Sequence, residues 1–434
     1  MTDLVIKVLG GGGEVGRMAI FVKDANSDKG FLFDYGVNFD ENDRPVMPSH
    51  VRPRDIMAVF LSHAHLDHCG ALPSLYVSSP PPVYATPLTL ELADIMFKDA
   101  IKLSGYYLPY EDEEIKAVLD HAIPVTYGED VDISKDVRVT IINAGHVPGS
   151  MLTLLEINGA RVLFTGDFNL SPSNLLRGAD INNVPRDVDV VIMEGTYVAN
   201  THPPREEVEK EFIRVIKETI EDGGSVLIPV LTIGRAQEIL ITLYKNGIDY
   251  PIIIDGLARV ANQIVAKYPP HYLANPELYL KAVENSLEIT TDYQRKSLTK
   301  EPVIIVSPAG MLKGGAAVYY LKKLGRDRRN AVILPSYQAP DTPGFELLTR
   351  GRAFIDKAEI VLEARLYWFD FSSHSGRAEL EAFINHFSPD TKVLLVHTDA
   401  IKALQFLERL KVKYGIDNVH MPINDEALLM RVGR

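Results

Sequence analysis

The sequence is poor in cysteine, in long apolar stretches and in net positive charge. Its 434 residues include one cysteine, Cys69, so no intramolecular disulfide can form, and a reducing compartment suits the chain. No apolar run approaches the length of about 20 residues that a membrane-spanning helix needs, and no secretory leader is recognisable. We therefore expect a cytoplasmic protein that does not bind a membrane.

A net charge of −13 argues mildly against nucleic-acid binding, because contacts to phosphates need lysine and arginine. Two local runs, residues 322–330 and 347–352, are nonetheless basic, although solvated surface is the better explanation of each. An apolar share of 46% and a charged share of 24% are ordinary for globular proteins. At about 100–200 residues per domain, the length predicts two or three domains.

The pattern of elements changes along the chain. The first 190 residues are predicted to be β-rich, since short apolar runs alternate with turn residues, and "NGA" at 158–160 predicts a hairpin. From about residue 200, helical and strand patterns alternate, which predicts a mostly parallel α/β layer. Ligand-type residues recur at strand ends in both the first and the last part of the chain. The middle part is therefore predicted to be an insertion into one catalytic domain.

A glycine-rich segment, "GGGEVG" at 11–16, fits the G-x-G-x-x-G pattern of dinucleotide-binding loops. Such a loop has to be followed by a helix that receives the pyrophosphate, whereas the next segment, "RMAIFVKD", is β-like. We therefore reject a dinucleotide site. The glycines are instead expected to let the loop pass close to another part of the chain, including the candidate site described next.

The segment "LSHAHLDHCG" at 61–70 places His63, His65, Asp67 and His68 at the end of a predicted strand. Burying these side chains is costly unless a partner compensates them. A metal ion removes that cost, because imidazole and carboxylate groups suit Zn²⁺. His63 and His65, two positions apart in an extended segment, face the same way, and Asp67 and His68 can face a neighbouring position.

Three further ligand-type residues follow predicted strands elsewhere in the chain. His146 lies in the loop "NAGHVPGS", Asp167 ends "LFTGD", and His397 ends "LLVH". One tetrahedral zinc takes about four ligands, so the whole set predicts two zinc ions. Two such ions about 3.5–4 Å apart can clamp both oxygens of an in-line displacement and activate a water molecule.

Segments spread over nearly the whole chain carry a family resemblance. "DYG", "SHAHLDH", "NAGHVPGS" and "FTGDF" resemble the signature motifs of the metallo-β-lactamase superfamily. "MEGTY", "IPVLTIGRAQEIL", "IIVSPAGMLKGG", "FSSHSGRAEL" and "LLVHTD" resemble its β-CASP branch. That branch holds RNase J-type enzymes and the nuclease subunit of the cleavage and polyadenylation machinery, with archaeal relatives of both. The chain is most similar to archaeal members of this type.

The resemblance implies an α/β fold, a metallo-β-lactamase αββα sandwich with an inserted α/β β-CASP domain. Residues 1–196 would form the N-terminal part of the sandwich domain, 197–365 the insert, and 366–434 the C-terminal part. Because the sequence starts directly at the first strand of the nuclease, no N-terminal KH domain is expected.

The resemblance also assigns the metal ligands. Those of the first zinc are His63, His65 and His146, those of the second are Asp67, His68 and His397, and Asp167 bridges the two ions. Asp34 of "DYG" would support the histidine cluster.

The catalytic residues implied by the resemblance are Asp67, His374 and Glu194. His374 would give a proton to the leaving oxygen or hold the scissile phosphate, and Glu194 would keep it protonated. Gly195 and Ser373 replace residues that are common in the family by others of similarly small size. Thr398 follows His397 where glycine is common, which puts the geometry of that loop in doubt.

These features predict a zinc-dependent ribonuclease that hydrolyses single-stranded RNA, as a 5′-to-3′ exonuclease, an endonuclease or both. A DNA nuclease of the same branch is the nearest alternative, and His397 favours RNA because DNA-acting members tend to have valine there. A small-molecule hydrolase would lack the insert. A flavodiiron oxidoreductase would carry glutamate at His65, and a metal-free scaffold subunit would lack ligands.

The sequence also predicts two weaker features. Arg235, Ser307 and Gly310 are expected to contact RNA from strand ends of the insert, although tight turns and a helix N-cap explain them equally well. A homodimer is allowed by the apolar C-terminal segment at 426–432, which an ordinary edge strand also explains.

Overall fold

A computed structural model describes residues 1–268, 270–298 and 301–433. Within these residues the chain forms 24 strands and 12 α-helices. The strands are β1 Thr2–Gly10, β2 Ala19–Asp24, β3 Gly30–Phe33, β4 Asn38–Phe39, β5 Pro45–Val46, β6 Ile56–Phe60, β7 Val83–Ala85, β8 Ala122–Pro124, β9 Asp130–Ser134, β10 Val137–Asn143, β11 Met151–Ile157, β12 Ala160–Phe164, β13 Val190–Glu194, β14 Val226–Pro229, β15 Ile252–Ile254, β16 Leu287–Glu288, β17 Ile304–Ser307, β18 Ala331–Leu334, β19 Arg352–Ile355, β20 Ala358–Val361, β21 Arg365–Trp368, β22 Lys392–Val396, β23 Val419–His420 and β24 Ala427–Val432.

The helices alternate with the strands most regularly in the middle of the chain. They are α1 Leu66–Cys69, α2 Pro87–Ser104, α3 Asp112–Asp120, α4 Arg205–Glu221, α5 Arg235–Lys245, α6 Leu257–Val265, α7 Pro276–Glu284, α8 Asp292–Leu298, α9 Gly315–Leu324, α10 Pro343–Arg350, α11 Arg377–Ile384 and α12 Ala400–Tyr414.

The chain divides into two compact units that are interleaved in sequence. Unit 1 comprises residues 1–172, 178–201 and 374–434, and unit 2 comprises residues 173–177 and 202–373. An insertion into one discontinuous domain is therefore present. The boundaries 196/197 and 365/366 inferred from the sequence motifs stay a prediction.

Unit 1 is built on two seven-stranded sheets. The first has the order β24-β1-β2-β3-β6-β7-β8 and the second the order β23-β22-β13-β12-β11-β10-β9. One apolar cluster draws buried side chains from both sheets, among them Phe33 of the first and Phe164 of the second, whose ring centroids are 5.1 Å apart. A second cluster joins α11 and α12 to the second sheet. Strands β11, β12, β13 and β22 of the second sheet thus have two buried faces, which explains their almost continuous apolar runs.

The hairpin predicted at "NGA" is confirmed. Strands β11 and β12 pair in antiparallel fashion, with Ile157 opposite Ala160. Asn158 and Gly159 both have positive φ, 50° and 81°, as a two-residue turn that matches the twist of its strands requires.

The β-rich reading of the first 190 residues missed two helices, α2 and α3. The signals for both were present in the sequence. The Thr86 side chain accepts from the Thr89 backbone N–H, and proline follows at the first helical position. At the start of α3, the Glu111 backbone N–H donates to the Glu114 side chain.

Unit 2 contains a six-stranded sheet with the order β16-β15-β17-β14-β18-β21, in which every pairing is parallel. The alternation of strands and helices predicted from about residue 200 is confirmed. Apolar clusters lie on both faces of the sheet, as a parallel sheet covered by helices requires. Strands β19 and β20 form a separate antiparallel hairpin.

No helix in the described part of the chain is both long enough and apolar enough to cross a membrane.

One buried carboxylate joins the last two helices of unit 1. Glu381 of α11 accepts hydrogen bonds from Arg409, Lys413 and Tyr414 of α12. Burial alone would raise the pKa of Glu381, but Arg409, Tyr414 and Lys413 outweigh it and hold that pKa at about 2.

Glu381→Gln should therefore lower the free energy of unfolding by about 1–3 kcal/mol at pH 7, the cost of weakening hydrogen bonds to a buried charge. Because the folded-state pKa of Glu381 is depressed, its contribution is complete above pH 4.5 and is lost as the pH falls towards 2. Urea unfolding at a series of pH values measures this difference. The exposed Glu408→Gln is the control, and equal losses in the two variants would contradict the prediction.

Candidate metal centre

The structure brings all the sequence-predicted ligands together in unit 1. Each lies just beyond a strand, except that Asp67 and His68 lie on the short helix α1, which begins directly after His65. The predicted ligands fall into two groups, each with all its ligand atoms within 4.8 Å of one another: His63, His65, His146 and Asp167 in the first, and Asp67, His68 and His397 in the second. Asp167 also belongs to a third such group, with Glu194 and His374.

The first group has the dimensions of a tetrahedral site. His63 Nε2 is 3.1 Å and His146 Nε2 is 3.3 Å from His65 Nδ1. Both Nε2 atoms are 3.7 Å from Asp167 Oδ2. Ligands about 2.0–2.1 Å from a tetrahedral metal are about 3.3 Å from each other, so this spacing fits zinc with nitrogen and oxygen ligands.

The second group borders the same carboxylate. His397 Nε2 is 3.5 Å from Asp67 Oδ2 and 3.8 Å from Asp167 Oδ1, and His68 Nε2 is 3.3 Å from Asp167 Oδ2. Asp167 therefore faces both groups, the position that a carboxylate shared between two cations requires.

Two buried polar atoms in this cluster make no hydrogen bond to other described residues: His68 Nε2 and Asp167 Oδ1. A buried polar atom without a partner is costly and needs an explanation. A metal ion supplies one, because both atoms are metal-ligand types and both face the candidate positions. The residues present thus fit a bound metal.

Asp34 fixes the orientation of two of the histidines. Its Oδ2 accepts from His68 Nδ1 at 2.6 Å and from Ser62 Oγ at 2.7 Å, and its Oδ1 accepts from the Ser62 backbone N–H at 2.7 Å. Ser62 Oγ is in turn 3.0 Å from His63 Nδ1. With protons on both Nδ1 atoms, the Nε2 atoms of His63 and His68 are left with free lone pairs towards the metal positions.

The electrostatics keep Asp167 ionised and His63 neutral. Burial and the neighbouring His68 hold the pKa of His63 well below its usual value. Burial opposes ionisation of Asp167, but His68 and His397 outweigh it and hold its pKa well below the usual range. Burial likewise opposes a charge on His68, yet Asp167 and Asp34 raise its pKa well above normal. A metal ion can replace the protons that this anionic cluster otherwise attracts.

The glycine-rich loop lies beside His397. The His397 backbone N–H donates to the carbonyl of Gly11 at 2.7 Å, and the Gly16 N–H is 3.3 Å from His397 Nδ1. Gly11 and Gly16 have φ of 81° and 111°, which L side chains rarely adopt. Strand β2 follows this loop, so the helix that a dinucleotide site needs is absent from this part of the described chain.

A second histidine–carboxylate pair borders the first ligand group. Glu194, buried at the end of β13, accepts from His374 Nδ1 at 2.8 Å. It also accepts from the backbone N–H groups of Phe168 and Thr196. Burial alone would lower the pKa of His374, but Glu194 and Asp167 raise it to about 9. The His374 ring lies 4.5 Å from that of the candidate ligand His146, centroid to centroid.

Sequence reasoning missed two residues of this site. Ser62 links Asp34 to His63. In the sequence, only its position directly before the first histidine pointed to such a role. The Tyr197 ring lies 5.6 Å from that of His374, and its signal was the tyrosine of "EGTY".

The three residues expected to contact RNA lie in unit 2. Arg235 begins α5 and is buried, Ser307 ends β17 and is buried, and Gly310 follows three residues later. Gly234 is the N-cap of α5. A contact of Arg235, Ser307 or Gly310 with RNA stays a prediction.

Comparison with protein families gives three matches along the chain. The metallo-beta-lactamase superfamily matches residues 12–194, the Beta-Casp domain matches residues 236–347, and the Zn-dependent metallo-hydrolase RNA specificity domain matches residues 359–422. The predicted fold class, a metallo-β-lactamase domain with an inserted β-CASP domain, is therefore confirmed.

Several named archaeal proteins are similar over nearly the whole chain. RNase aCSPSF2 of Saccharolobus solfataricus is 41% identical over 98% of this chain and 85% of its own length. Probable RNase MJ4 of Methanocaldococcus jannaschii is 36% identical over 94% and 95%. Transcription termination factor FttA of the same organism is 34% identical over 98% and 72%.

One solved structure shows the same fold at low sequence similarity. A protein of unknown function from Enterococcus faecalis V583 superposes with a TM-score of 0.62 at 14% identity, covering 99% of this chain and 100% of that one.

Asp34→Asn should weaken metal binding by about 10- to 100-fold. An amide has a single acceptor oxygen, so its NH2 group would face either the Ser62 backbone N–H or the His68 Nδ1–H, both of which donate to the carboxylate. Chelator competition followed by metal quantification measures the affinity. Asp55→Asn, a change at a surface ion pair, is the control and should bind metal like the parent. Unchanged affinity in Asp34→Asn would show that this carboxylate does not orient the ligands.

Proposed function

The chain belongs to the metallo-β-lactamase superfamily, in its β-CASP branch, and we propose that it is a zinc-dependent ribonuclease acting on single-stranded RNA. The observation that carries this proposal is the arrangement around Asp167. Asp167 belongs to the first ligand group, and its oxygens are 3.3 Å from His68 Nε2 and 3.8 Å from His397 Nε2 of the second. The buried Glu194 and the partly exposed His374 form a hydrogen-bonded pair beside this carboxylate. Relatives over nearly the full chain are named ribonucleases.

We propose two zinc ions, one held by His63, His65 and His146 and one by Asp67, His68 and His397, with Asp167 between them. Nitrogen and oxygen donors at tetrahedral spacing suit zinc better than magnesium or calcium, which prefer all-oxygen sites. When bound, two such cations neutralise charge on a phosphodiester and make a water molecule easier to deprotonate.

The protein's own groups would supply the proton transfers. His374 Nδ1 is occupied by Glu194, so Nε2 is the nitrogen that can donate to the leaving oxygen. The raised pKa of His374 keeps that proton in place at neutral pH. Asp67, whose side chain is about one-third exposed, can accept a hydrogen bond from the attacking water.

RNA is the proposed substrate for two reasons. The RNA specificity domain matches residues 359–422, which include both His374 and His397. Two of the similar proteins are named RNases. A DNA nuclease and a small-molecule hydrolase remain the alternatives. Cleavage from the 5′ end, internal cleavage, or both are compatible with the same metal centre.

Two further parts of the proposal concern assembly and location. The predicted C-terminal segment forms β24, the edge strand of the first sheet, which pairs with β1 on one side. A homodimer and a cytoplasmic location stay predictions.

The direct test is to incubate zinc-loaded protein with single-stranded RNA that carries a 5′-monophosphate and a 3′ label, beside DNA of the same sequence. We expect RNA to be cleaved and DNA to survive. Stepwise shortening from the 5′ end would identify an exonuclease, and internal products at the earliest times an endonuclease. Intact RNA under conditions where a control ribonuclease cuts would refute the function, and equal cleavage of DNA would refute the substrate.

His374→Ala should slow cleavage by about 10²–10⁴-fold, the range for loss of a general acid. Its zinc content should stay at the level of the parent, because the imidazole is assigned to proton transfer and not to the metal. Metal analysis and initial rates on the same preparation test both points. His121→Ala, at an exposed histidine outside the site, is the control. Loss of zinc from His374→Ala would assign this residue to the ligands instead.

A further inference from the structure

The carboxyl ends of three neighbouring strands in unit 2 carry large apolar side chains that face solvent. Strands β14, β18 and β21 are adjacent and parallel, so their carboxyl ends lie at one edge of the sheet. Leu231 follows β14, Tyr337 follows β18 and Trp368 ends β21, and all three are exposed. In open parallel sheets, ligands bind at this edge.

A hydrogen bond fixes the position of the Trp368 side chain, although about half of its surface is exposed to solvent. Its indole Nε1 donates to the carbonyl of Ser336 at 3.0 Å, and its Cα lies in register with Leu334 of β18. The side chain is nevertheless 47% exposed. An indole whose only polar atom is already satisfied leaves its ring available for contact with a flat apolar partner.

Tyr337 stands next to this anchor. It directly follows Ser336 in the chain and is also 47% exposed. The turn that carries it is fixed by Gln338, a buried amide whose Nε2 donates to the carbonyls of Ser336 and Gly310, both at 3.1 Å. The two aromatic residues therefore lie on a hydrogen-bonded turn and at a strand end.

We propose that Trp368 and Tyr337 form a stacking platform for unpaired nucleobases of the RNA substrate. This inference rests on the proposed function and names the residues by which the enzyme would prefer single strands. Aromatic rings stack on any base whose face is free, whereas the bases of a duplex offer only their edges. A chain with a net charge of −13 gains little from long-range attraction to phosphates, so stacking is a suitable source of affinity.

The test uses the intrinsic fluorescence of the protein, because Trp368 is its single tryptophan. The titration uses the full chain of the His374→Ala variant with bound metal, so that the RNA stays intact while binding is measured. We expect single-stranded oligoadenylate to quench the emission in a saturable way. The same strand within an RNA duplex should leave the emission unchanged at equal concentration.

Substitutions then separate stacking from folding, and their binding is followed by the fluorescence anisotropy of a labelled single strand, because Trp368→Ala and Trp368→Phe remove the single tryptophan. Trp368→Ala should weaken binding of the single strand by about 5- to 150-fold, the cost of removing one stacked base from its aromatic partner. Trp368→Phe should retain most of the affinity, because it keeps an aromatic face. Tyr337→Ala should weaken binding in the same direction. Phe354→Ala, at an exposed aromatic residue of the β19–β20 hairpin in the same unit, is the matched control and should bind like the parent.

The same variants with His374 intact show the effect on cleavage. Trp368→Ala should raise KM for single-stranded RNA by a similar factor and leave kcat nearly unchanged. If the parent cleaves RNA but Trp368→Ala matches it in affinity and KM, the platform is refuted and the ribonuclease function stands. If the parent neither cleaves nor binds RNA, the proposed function fails and the platform fails with it. If RNA does not change the emission and Trp368→Ala converts a dimer to monomers, the surface contacts a second copy of the chain and not RNA.

Discussion

A buried carboxylate stays ionised only when positive charge surrounds it, and Asp167 is in that position. Three histidines lower its pKa against the full effect of burial, and one of its oxygens makes no hydrogen bond to other described residues. The contacts around Asp167 also favour positive charge beside it. Asp34 and Ser62 turn two imidazole rings so that their Nε2 atoms face the metal positions. Because each of these residues compensates another, removing one leaves a buried polar group without a partner, so the cluster behaves as one electrostatic unit.

The ligands could be read from the sequence because each follows a strand whose apolar run is unmistakable. His63, His146 and His397 all come after such runs. His146, Asp167 and His397 follow β10, β12 and β22, strands of the second sheet that run in the same direction, so their carboxyl ends lie at one edge. The turn at Asn158-Gly159 was equally predictable from the sequence, since few residue pairs tolerate two positive φ values in succession. Helices α2 and α3 were missed because the surrounding β pattern outweighed their capping signals. Ser62 could not be recognised beforehand, since its role depends on where the side chain of Asp34 lies, 28 residues away.

The sequence also did not show which segments belong to which of the two units. Local pattern shows that a segment is a helix or a strand, but not with which neighbours it packs. Residues 173–177 belong to unit 2, although both flanking segments belong to unit 1. Within unit 2, Glu238 accepts from the backbone N–H groups of Asn174 and Leu175, at 3.2 and 2.9 Å. The buried carboxylate of α5 that makes these bonds comes more than 60 residues later, so periodicity alone could not have assigned the segment.

The interleaving of the two units also has a consequence for synthesis of the protein. Strand β13, which carries Glu194 at its end, pairs with β22, and β22 leads directly into His397. Its partner strand, and with it the candidate ligand His397, is therefore made only after residues 202–373 of unit 2. Because a chain emerges from the ribosome N-terminus first, the first ligand group can assemble early, whereas the second has to wait for the synthesis of unit 2. The two candidate metal positions therefore become available at different stages of synthesis.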